Sequence, residues 1–270
     1  MAEPIMPEEL GGYMRVLNES RDRDTLTTLA TNLAASEDAS ALFALAGPLS
    51  NREFLARLDD VENPVVDMDN PMVVLRALAQ HPTPASLRVC VLLYNEPEFR
   101  ENPSRINPLL VAMAEVRPTS PEAAKVFRTS SREGYAGVNG PLLVQNESPL
   151  ALQVFEELIA EDGLDSDTKV DLLHWSVLPK RTSLPVLKTC ATLLDRDLLA
   201  KVKDGILETL FDHESKRWFG PVLTPPTPPA WELASTEALD LLIVLGDRYP
   251  SATSTRRELE GLRKAREKTT

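Results

Sequence analysis

Thr119–Phe127 reads TSPEAAKVF, and Glu147–Phe155 reads ESPLALQVF. Each sets a proline directly after a serine and places Val-Phe six and seven residues beyond that serine. Two further stretches take the same form. Counting from Thr83, Ser120, Ser148 and Ser183, the next residue is Pro84, Pro121, Pro149 and Leu184. The fifth is Arg88, Lys125, Gln153 and Lys188; the sixth is Val89, Val126, Val154 and Thr189; the seventh is Cys90, Phe127, Phe155 and Cys190. Each position has the chemistry of a helix start. A Ser or Thr hydroxyl caps a free helix N-terminus by accepting a backbone N–H. Proline at the first helical position forfeits no hydrogen bond. The apolar pair at six and seven turns one face inward and leaves residue five pointing out.

Working outward, apolar residues fall at i, i+3, i+4 and i+7 almost everywhere, beginning with Leu10, Tyr13, Met14 and Leu17. No stretch of six residues alternates with period two, so the chain is expected to be all-α, with a dozen to fifteen helices. The four copies are spaced by 37, 28 and 35 residues, enough for one helical hairpin each. Repeats of that period bury their apolar faces by stacking. The stretches TPASLRVCVLL and NPMVVLRALA resemble the repeats of HEAT/armadillo-type α-solenoids, which often read Pro-x-x-Val-Arg. The resemblance covers roughly residues 70–200 and implies an irregular α-solenoid of stacked helical hairpins, with a globular helical bundle as the alternative. The chain is expected to form one helical-repeat domain over residues 1–270. Residues 1–62 would form an N-terminal cap. Residues 219–231, FGPVLTPPTPPAW with five prolines, would form an internal loop.

Composition bounds the function. The net charge of −12 argues against nucleic acid and anionic membranes as partners. Two cysteines in 270 residues make no disulfide framework. No signal-like segment opens the sequence, and no apolar run approaches 18 residues, so a soluble cytoplasmic protein is expected.

Candidate chemistry is sparse. Cys90 and Cys190 share the position that Phe127 and Phe155 fill, which marks them as buried core residues rather than nucleophiles. His174 beside Trp175 reads as a partly buried helical histidine. Asp212, His213 and Glu214 are consecutive and would diverge on a helix, so they do not make a metal site. LDDVENPVVDMDN (Leu58–Asn70) lacks the order of a calcium loop. GYAGVNGPLL, with Gly134, Gly137 and Gly140, is expected to be a turn between helices. No cofactor or metal is implied, and the chain is not expected to be an enzyme.

Stacked repeats would align Arg88, Lys125, Gln153 and Lys188 in a row. Such a row could hold an acidic peptide or bond neighbouring repeats. Trp218 and Trp231 bracket the Pro-rich loop and would either anchor it or offer a partner an aromatic contact. The sequence therefore suggests a non-catalytic scaffold or adaptor that binds another protein or peptide. The alternatives are an enzyme on a HEAT-like frame, of DNA glycosylase type, and an acidic immunity or inhibitor protein.

Overall fold

The structure, a computed structural model, describes residues 12, 15–16, 23–35, 84–100, 103–211, 231 and 234–268. Among them all regular structure is helical. The helices are α1 (Arg23–Ala35), α2 (Pro84–Asn95), α3 (Pro97–Arg100), α4 (Pro103–Glu115), α5 (Pro121–Ser130), α6 (Ala136–Asn146), α7 (Pro149–Ala160), α8 (Ser166–Val177), α9 (Leu184–Asp195), α10 (Ala200–Phe211), α11 (Thr236–Gly246) and α12 (Thr253–Glu267). The chain divides into two compact units, Met1–Phe127 and Arg128–Thr270, so the division falls inside α5. The expected cap over residues 1–62 lies largely outside the described residues, as do the acidic stretch Leu58–Asn70, the triplet Asp212–Glu214 and the Pro-rich loop up to residue 230.

The repeated positions behave as their chemistry requires. Val89, Val126, Val154 and Thr189 are buried, and so are Cys90, Phe127, Phe155 and Cys190. Both cysteines are unpaired thiols, and burial pushes each up to about 12. Helix starts divide into two kinds. Ser120 Oγ accepts from Ala123 N at 3.2 Å, as expected of a cap. Ser148 and Ser183 have the extended backbone of a cap, but their hydroxyls accept no capping bond. Ser183 Oγ instead donates to Glu147 Oε2 at 3.1 Å.

In the first unit, α2, α3 and α4 pack on one another, burying Leu87, Leu93, Ile106, Leu110 and Met113. In the second, helices pack in two rows: α6 on α8 on α10, and α7 on α9 on α11, with α12 against α11. Glycine sets the spacing of the first row. A side-chain carbon built on Gly205 of α10 would lie 2.8 Å from Val170 Cγ2 of α8. One built on Gly140 of α6 would lie 2.9 Å from Ser176 Oγ and collide with Leu172. The expectation of a turn through Gly134–Gly140 is therefore corrected. Only Gly134 lies in an irregular turn, at φ 102°, within a single π-helical turn (Ser131–Tyr135). Gly137 and Gly140 belong to α6, where Gly140 allows the backbones to approach. A buried knot secures the entry to α6: Asn139 Nδ2 donates to Ser130 Oγ at 2.8 Å and to Ser131 Oγ at 2.9 Å.

The register of the first row follows from its contacts. Asp167 pairs with Lys201, and Val170 meets Gly205, so α8 and α10 run parallel. Gly140 meets Leu172 and Ser176, while Glu147 at the end of α6 meets Lys180, so α6 runs parallel as well. The offsets lie near 33–35 residues.

Candidate functional site

Ion pairs tie neighbouring helices of the second unit to one another. Arg128 holds Glu157 through two bonds, Nε to Oε2 at 2.6 Å and Nη2 to Oε1 at 3.2 Å. One turn on, Arg132 pairs with Glu161 at the same sequence offset. Lys180 Nζ donates to Glu147 Oε1 at 2.6 Å, Arg196 to Glu156 Oε2 at 2.8 Å, and Arg248 to Asp195 Oδ1 at 2.8 Å. Glu147 ends α6 in the left-handed region at φ 59°, where a non-glycine residue is uncommon. Its carboxylate there meets both Lys180 and Ser183.

These links lower the Glu157 carboxyl below the usual range, chiefly through the Arg128 hydrogen bond. The Glu156 carboxyl is shifted the other way by its burial, against the pull of Arg196.

Of the fifth positions, Arg88 lies on α2, and Lys125 is exposed on α5 in the first unit. Gln153 and Lys188 are exposed on α7 and α9 in the second. Gln153 Nε2 donates to Glu157 Oε1 at 3.0 Å. A like pattern opens α11 and was missed in the sequence. Ser235 Oγ caps α11 by accepting from Ala238 N at 3.1 Å; Asp240 is its exposed fifth residue, and Leu242 its buried seventh. The step from Ser183 to Ser235 exceeds that from Ser148 to Ser183 by about the length of the stretch 212–230, which breaks the spacing. Within the second unit the row thus reads Gln, Lys, Asp rather than uniformly basic, and Asp240 accepts from Arg263 Nε at 2.6 Å.

Trp231 does not serve as an exposed aromatic anchor. Only 3% of it is accessible, and the buried Arg181 guanidinium lies 5.4 Å from its ring centre. The ring is large and apolar enough that covering it outweighs presenting it. Trp218 lies outside the described residues. His174 is buried, edge-on to Trp175 at 6.3 Å between ring centres. Trp175 itself is 43% exposed. The sequence reading paired it with His174 and passed over the spacing Asp167, Asp171, Trp175, which marks one outward stripe of α8.

Among the described residues no three His, Cys, Asp or Glu side chains are grouped to hold a metal, and no helix is long and apolar enough to cross a membrane. No protein-family model, curated protein or solved structure matches the chain.

Proposed function

We propose that the protein is a non-catalytic interaction scaffold or adaptor, built as an irregular α-solenoid of HEAT/armadillo-like hairpins and working in the cytoplasm. One observation carries the reading. The helices of the second unit pack in two rows, and the successive helices of one row carry Gln153, Lys188 and Asp240 at exposed positions the same distance from the helix start. A surface built that way suits an extended partner, because successive repeats offer contacts at regular intervals. The ion pairs between helices support it by engaging many of the charged groups in holding neighbouring helices together. The unpaired, buried thiols accord with a cytoplasmic location. The net charge of −12 opposes the glycosylase-type alternative, which needs a face that attracts phosphate.

The test is co-purification of the full chain from its native cells, followed by measurement of partner affinity for variants of the outward row. Gln153→Glu with Lys188→Glu is expected to weaken the partner more than either change alone. Each exposed charge contributes on the order of 0.2–1 kcal/mol. Circular dichroism should be unchanged. Loss of activity on substituting one histidine or aspartate, with the double variant behaving as wild type, would replace the scaffold reading with an enzymatic one.

A further inference from the structure

The geometry points to the outer face of α6, α8 and α10 around Trp175 as the docking surface for a basic segment of a partner protein. An arginine or lysine of that segment lies on the indole, and its neighbours meet Asp171, Asp204 and Glu208. This rests on the scaffold reading and names the partner's chemistry.

The parallel register builds the face. On α8, Asp167, Asp171 and Trp175 follow one another at i, i+4 and i+8; on α10, Lys201, Asp204 and Glu208 follow at i, i+3 and i+7. Each set therefore forms one stripe. The Asp167–Lys201 pair sets the two stripes side by side at their first residues. Asp171 then lies level with Asp204, and Trp175 with Glu208. On the other flank, the α6 offset brings the half-buried Pro141 and Leu142 level with Trp175, and the exposed Gly137 level with Asp171. The indole thus sits between a low apolar shoulder and three carboxylates.

Exposure and charge together select the occupant. Trp175 leaves 43% of its surface open to solvent, and an indole attracts cations. Asp171, Asp204 and Glu208 have no cationic partner among the described residues, whereas Asp167 at the end of the same face has Lys201. Lys203 follows a different stripe of α10, about 100° around the helix from Asp204. The chain's net charge of −12 draws a basic segment towards it from a distance. The competing occupant is a second copy of this chain. Its α12 carries Arg257 and Lys264 on one exposed stripe, with Lys268 just past its end, and none of them is ion-paired among the described residues.

The test titrates the full chain with a synthetic peptide of alternating arginine and glycine, following the indole N–H resonances. The Trp175 signal is assigned by its loss in Trp175→Phe. The peptide is expected to shift the Trp175 resonance and leave that of Trp231 in place, while an alternating glutamate–glycine peptide shifts neither. Trp175→Ala should weaken the arginine peptide about threefold, and Asp171→Asn with Asp204→Asn and Glu208→Gln about tenfold or more, at low salt. An unmoved Trp175 signal at about 1 mM peptide overturns the proposal, as does unchanged affinity in the triple variant. Self-association in sedimentation velocity that is lost in both Trp175→Ala and Lys264→Glu/Lys268→Glu assigns the face to a second copy and also overturns it. A native partner recovered equally by wild type and Trp175→Ala removes this face while leaving the scaffold reading in place.

Discussion

Gly205→Ala tests the row packing directly. The added carbon would lie 2.8 Å from Val170 Cγ2, 3.1 Å from Cγ1 and 3.4 Å from Cβ. Valine on a helix has one strongly preferred χ1, so it cannot turn both methyls away, and α8 and α10 must separate. Overpacking of this kind costs typically 1–3 kcal/mol. The helix gains up to about 1 kcal/mol when alanine replaces glycine. The clash wins, and the expected net loss is about 1 kcal/mol. Gly261→Ala in α12 is the control: nothing lies within 4 Å of the added carbon, so it should stabilise by roughly 0.5–1 kcal/mol. In a Val170→Ala background the obstructing methyls are gone, and Gly205→Ala should change sign and become stabilising. The assay is urea denaturation followed by helical circular dichroism, with the four proteins forming a double-mutant cycle. Equal stabilisation by Gly205→Ala in both backgrounds would refute the close approach of α8 and α10.

The same packing bears on two other measurements. Cys90 and Cys190, buried and pushed up to about 12, should react with a charged disulfide reagent at neutral pH at least ~100-fold more slowly than an exposed cysteine, and fully once the chain is denatured; labelling of both within seconds would contradict their burial. The Arg128–Glu157 pair should add on the order of 0.5–1 kcal/mol. Because the folded Glu157 carboxyl is lowered from 4.5, that increment is complete above the unfolded value and is lost as pH falls towards the folded one. Stability profiles of wild type and Glu157→Gln should therefore converge in acid, and parallel profiles down to pH about 3 would count against the pair.

The all-helical fold was legible because helical periodicity is a local property, repeated wherever a face must be buried. The Ser/Thr-anchored motif also told which residues enter the core. A slot filled by Phe in two copies and Cys in two is apolar by equivalence, and all four are buried. Other features depend on neighbours distant in sequence. Gly140 looked like part of a turn, because glycine's freedom is visible locally and the approach of Leu172 and Ser176 is not. Ser183 looked like a cap, until the fold brought Glu147 within reach of its hydroxyl. The like pattern at Ser235 was hidden by the stretch 212–230, and the packing of α11 on α9 draws attention to it. Trp231 and Trp175 are equally apolar as letters. One is buried with Arg181 over its ring, and the other stands exposed on α8. Which side chains enter a helix's apolar face is decided along the chain, whereas which outward residues share a surface is decided by register between helices some 33–35 residues apart.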